Sequence, residues 1–84
     1  MSLKILILQC ALKHGLEQDD ILAALRNPVS VRRRNLEAPS HIAFAGCDCR
    51  GRLIEILGAE QEDGVLVVYH AMKLSEKMKR ELGL

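Results

Sequence analysis

With 84 residues the chain has room for one domain, residues 1–84, and for no second core; a domain this small buries only about 60–65% of its unfolded surface. Apolar residues make up 49% of it, yet Phe44 and Tyr69 are the only aromatics, which argues against readers of single strands that stack bases on aromatic platforms. The formal charge of +1 excludes a blanket polycation, but Arg32-Arg33-Arg34 and Lys73, Lys77, Lys79 and Arg80 cluster, and such patches attract phosphate whatever the total charge.

Three cysteines make an odd count. The run Ile5-Leu6-Ile7-Leu8 is too short for a secretory signal core or a membrane span. These features predict a cytoplasmic protein with reduced thiols, no cofactor and no membrane association.

In chain order, residues 4–14 fit two patterns. Leu3, Ile5 and Ile7 alternate like a strand, whereas Leu8, Ala11 and Leu12 suit a helix. Lys13-His14-Gly15 places cations in a last helical turn and a glycine just after it, which favours a helix ending at His14, with or without a short preceding strand; the second reading of Lys13-His14 is part of a basic rim. A second helix is predicted from Gln18 to Arg26, with Asp19 and Asp20 at its positive end and Ile21, Leu22 and Leu25 on one stripe. Asn27-Pro28 closes it.

The remainder reads as β structure. Val29 to Arg32 alternates, with Val29 and Val31 expected inward. After a loop at residues 35–40, His41 to Ala45 alternates again, and Gly46 to Gly51 reads as a turn. Strands follow from Arg52 to about Leu57 and from Val65 to Ala71, separated by a turn at Glu60 to Gly64. Ser75 is a good N-cap for a short last helix ending near Leu82, before Gly83. The predicted fold is therefore α+β: two N-terminal helices packed on a four-stranded antiparallel sheet, with a short C-terminal helix.

Several of these segments together resemble a known family. A helix ending in Lys13-His14-Gly15, a second closed by Asn27-Pro28, and Gly51-Arg52-Leu53 leading through a hairpin to Ala71 are similar to the BrnT-type toxins of type II toxin–antitoxin loci, or to a closely related class of small toxin-like domains. The similarity runs from about Cys10 to the end. It implies a RelE-like fold and ribonuclease activity held in check by a cognate antitoxin. Arg52 matches the family pattern. Those toxins carry a Glu-Arg pair entering the strand that here begins Ser40-His41, and Ser-Ala-Arg where this chain has His70-Ala71-Met72. In this chain His70 would have to stand in for the missing groups.

The candidate chemistry follows. His70, at a strand end beside Tyr69, either moves a proton at a ribose 2′-hydroxyl or leaving 5′-oxygen, or merely bonds to neighbouring backbone. Arg52 and Lys73 are the cations expected to stabilise a charged phosphorane; an ion pair between Arg52 and a turn acid such as Asp48 is the alternative. Glu55 lies three residues from Arg52, so alternation sends it to the opposite face, toward solvent or a basic neighbour. Arg32, Arg33 and Arg34 are candidates for RNA contact, for docking an acidic antitoxin, or for a solvated sheet edge. Cys47-Asp48-Cys49 is too closely spaced for a thiolate zinc site, and no metal is expected. The sequence thus predicts a metal-free RNA-cleaving or RNA-binding domain neutralised by a partner. A non-catalytic protein–protein interaction module is the alternative.

Overall fold

The computed structural model describes residues 4–84; Leu3, which opens the alternating run, lies outside them. The elements are strand β1 (Ile5–Ile7), a 3₁₀ turn (Gln9–Leu12), helix α1 (Gln18–Arg26), strands β2 (Pro28–Arg33), β3 (Ser40–Cys47), β4 (Leu53–Glu60) and β5 (Leu66–Lys73), and helix α2 (Glu76–Leu82).

Strands β2 to β5 form the antiparallel meander that the short connections required. The sheet as a whole, however, has five strands in the order β1-β5-β4-β3-β2 and is mixed, because β1 lies parallel to β5. The four-stranded, purely antiparallel sheet under two N-terminal helices is therefore corrected. Ile5 and Ile7 turn toward the core while Leu6 stays exposed, so the period of two governs this segment. Leu66 N–H donates to the Lys4 carbonyl at 2.8 Å and Leu8 N–H to that of Val68 at 2.9 Å. These bonds hold the segment on β5, and only a 3₁₀ turn remains of the expected first helix. Its end matches the sequence signal, since Gly15 takes a positive φ of 86°.

Helix α1 occupies the residues its stripe indicated. Its first turn is closed by Glu17 N–H donating to Asp20 Oδ2 at 3.0 Å. With the 3₁₀ turn it covers one face of the sheet, where Ile21, Ala24, Ile42, Ile54, Ile56, Leu66, Val68 and Ala71 form the main core. Approach to β3 is so close that a Cβ on Gly46 would stand 2.5 Å from the Ala24 carbonyl oxygen, which fixes glycine there.

Helix α2 covers part of the opposite face, where Leu74, Met78 and Leu82 pack on Ala43 and Ala45. Ser75 caps it by accepting from Met78 N–H at 3.2 Å. The molecule thus has three layers, helix, sheet and helix. Val29 and Val31, expected inward, are 54% and 52% exposed. They sit on the edge strand β2, where Val31 lies opposite the half-buried Phe44, at the margin of what α1 covers. Among the described residues no helix is long and apolar enough to cross a membrane.

Candidate functional site

Glu55 and His70 share one side of the sheet in the regular register that pairs Ile54 with Lys73 and Leu57 with His70, and a register break just beyond it adds Tyr69. Leu57 pairs with His70 and Gly58 with Val68, leaving Tyr69 as the extra residue of a β-bulge. The bulge puts Tyr69 on the same side of the sheet as His70, the side that α2 covers. There the Tyr69 hydroxyl lies 3.1 Å from His41 Nδ1, and His70 Nε2 lies 2.9 Å from Glu55 Oε2.

Glu55 is 4% exposed, so of its two expected surroundings, solvent or a basic neighbour on the next strand, the structure has the second, in His70. Glu55 points to the face opposite the α1 core, and α2 starts over that face and closes it. Its second oxygen, Oε1, accepts the backbone N–H of Ser75 at 2.9 Å. Burial pushes this carboxyl up, but the hydrogen bonds from Ser75 and His70 outweigh it and hold it below the ordinary glutamate value. Glu55 is therefore an anion that ties the start of α2 to the ring of His70.

A cleft of about 450 Å³ opens where β5 ends and β4 begins, lined by His14, Gly15, Leu16, Arg52, Leu53, Ile54, Lys73, Leu74 and Lys79. Four separate segments build it: the turn after the 3₁₀ helix, the β3–β4 hairpin, the end of β5 and α2. Its rim is cationic, its floor is Leu and Ile, and no carboxylate lines it. The His14 ring meets that of His70 edge-on, with centroids 5.6 Å apart and planes at 71°.

Of the three residues predicted to carry chemistry, the fold brings Arg52 and Lys73 into this cleft and places His70 beside it, in contact with His14. Arg52 also satisfies its alternative reading. Its Nε donates to Asp48 Oδ2 at 2.8 Å, yet 55% of its side chain remains exposed. Asp48 is buried in the hairpin and accepts the backbone N–H groups of Arg50 and Arg52, both at 2.9 Å. Burial raises its carboxyl, and these bonds with the Arg52 guanidinium bring it below its ordinary value. The hairpin therefore fixes where Arg52 projects.

Arg32, Arg33 and Arg34 stand apart from the cleft and touch groups of their own chain. Arg34 grips Glu81 with two bonds of 2.8 Å, Arg32 donates to the Glu81 carbonyl at 3.3 Å, and Arg33 reaches Glu60 at 3.0 Å and Ser40 at 2.7 Å. Sequence reasoning left Glu55 outside the site and offered Lys13-His14 first as a helix end and second as part of a basic rim, where His14 lies. Cys10, Cys47 and Cys49 are free and exposed, and among the described residues no group of three or more His, Cys, Asp or Glu is placed to hold a metal ion. No family model matches the chain, and no curated protein or solved structure matches it either.

Proposed function

We propose that this chain is a cytoplasmic, toxin-like domain that binds RNA in the basic cleft and cleaves it by proton transfer, held in check by an acidic antitoxin that covers the same cleft. The observation that supports this reading is the make-up of the cleft: Arg52, Lys73, Lys79 and His14 around an apolar floor with no carboxylate among them. A phosphodiester satisfies such a rim, and fixed cations there stabilise the extra charge of a phosphorane. The imidazole of His70 beside the cleft supplies a proton-transfer group. The resemblance to BrnT-type toxins points the same way.

The exposed edge of β2 favours a second reading. Val29 and Val31 are 54% and 52% exposed, and an unpaired edge strand is a template for strand addition by a partner. On that reading the chain is a non-catalytic interaction module.

Cleavage of mixed RNA by the purified protein in the presence of chelator separates the two. The expected result is cutting that leaves 2′,3′-cyclic phosphate ends, with Lys73→Ala slower by roughly 10²–10³ through the loss of fixed positive charge. A wild-type protein that cuts nothing ends the enzyme reading and leaves the module.

A further inference from the structure

We propose that His14 is the second proton-transfer residue of the cleft, acting as general base opposite His70 as general acid, with Glu55 as the residue that positions His70. This rests on the reading of the cleft as an RNA-cleaving site and assigns its missing partner. Cleavage of RNA by its own 2′-hydroxyl needs two proton movements at one phosphodiester, one at each end of the displacement. A single histidine does not serve both within one step. Rings 5.6 Å apart, one of them lining the cleft, are close enough to work on one phosphate.

The two roles follow from what surrounds each ring. His70 Nε2 is held by Glu55 Oε2 at 2.9 Å, and Glu55 is itself fixed by the Ser75 amide at 2.9 Å. A buried carboxylate on one ring nitrogen fixes the ring and leaves Nδ1 as the nitrogen that meets the leaving oxygen. His14 has no such partner among the described residues and shares the cleft rim with Arg52, Lys73 and Lys79. It lines the cleft itself, so it is the ring that a bound 2′-hydroxyl meets. The charged groups facing the pair are Glu55 from β4, Lys73 from β5, Arg52 from the hairpin and Lys79 from α2, with Arg34 felt at Glu55 from the end of β2.

The step balances without an added reagent. His14 takes the 2′-hydroxyl proton, and the 2′-oxygen forms its bond to phosphorus. The bond from phosphorus to the 5′-oxygen breaks, and that oxygen receives the proton of His70. The products are a 2′,3′-cyclic phosphate and a 5′-hydroxyl, and exchange with water restores both rings.

An RNA whose scissile 5′-oxygen is replaced by sulfur tests the assignment, because a thiolate leaves without being protonated. On ordinary RNA, His14→Ala and His70→Ala are each expected to lose about 10²–10⁴ in cleavage rate. On the sulfur substrate His70→Ala recovers to near the wild-type rate and His14→Ala does not. Glu55→Gln, impaired on ordinary RNA, recovers with His70→Ala, which a merely structural role would not produce. His14→Ala cutting ordinary RNA as fast as wild type overturns the inference while leaving the cleft as the RNA site. Sulfur rescue of His14→Ala in place of His70→Ala reverses the roles and overturns it too. A wild type inactive on both substrates removes this inference together with the reading it rests on.

Discussion

Arg32-Arg33-Arg34 and the cations of the cleft read alike in the sequence, and they differ in what the fold sets against them. The β2 arginines meet Glu81 and Glu60, residues 47 and 27 positions away from Arg34 and Arg33, so most of that positive charge is spent inside the chain. In the cleft, Lys73 pairs with no carboxylate among the described residues, Lys79 holds only an exposed Glu76 at 3.1 Å, and Arg52 leans on Asp48 with its side chain largely open. Charge density along a sequence is therefore a poor guide to the field at a surface. The field depends on acids that topology brings in from elsewhere.

Salt dependence of RNA binding puts the largest strain on this contrast. Replacing Lys73 and Lys79 by Gln should flatten the slope of log K against log salt by about 1.4, two contacts at roughly 0.7 each on a single strand. Replacing Arg32, Arg33 and Arg34 together should leave the slope within experimental error. Titrations of a non-cleavable RNA at several salt concentrations decide it, and a flattening by the arginine variant instead would place the phosphate site on the β2 edge.

The converse expectation is structural. Arg34→Gln removes a two-bond ion pair in which Arg34 is raised and Glu81 lowered from their ordinary values, in each case first by their mutual hydrogen bond. Both side chains are a quarter to a third exposed, so solvent screening limits the loss to about 1 kcal/mol. In a domain of this size that lowers Tm by roughly 4–8 °C. A calorimetric scan showing no shift would mean that the arginines of β2 are solvated in solution and free for a partner.

How far the sequence discloses these features depends on how local their causes are. The stripe of α1, its Asn27-Pro28 stop, the Ser75 cap and the meander all follow from neighbours within a few residues, and the structure has them where the pattern put them. Strand β1 depends on β5, some sixty residues later, and three residues of alternation cannot outweigh a helical spacing in the next four. The bulge at Tyr69 is a property of pairing, invisible in either strand alone, and it decides that Tyr69 and His70 share a face. Alternation puts Glu55 on the correct side of its strand and leaves open solvent or a basic neighbour; the neighbour is His70, and nothing local tells that α2 returns over both. His14 met His70 only when the 3₁₀ turn was laid along β5.

Glu55 also carries the contrast into the acid range, with the smallest expected effect. Its carboxyl is held below the ordinary value of 4.5, where burial alone would have raised it. A group whose folded-state value is depressed adds stability that is fully present above its unfolded value and is lost as pH falls through the folded one. The stability advantage of wild type over Glu55→Gln should therefore be constant from neutral pH down to about 4.5 and shrink below it, as measured by urea unfolding at a series of pH values. Asp48 and Glu81 are lowered as well, so both proteins weaken in acid, and only their difference isolates Glu55. Were that difference to stay flat down to pH values where carboxylates protonate, Glu55 would not be an anion in the native state. The fixed charge that holds His70 would then be missing, and with it the contact that sets His70 apart from His14.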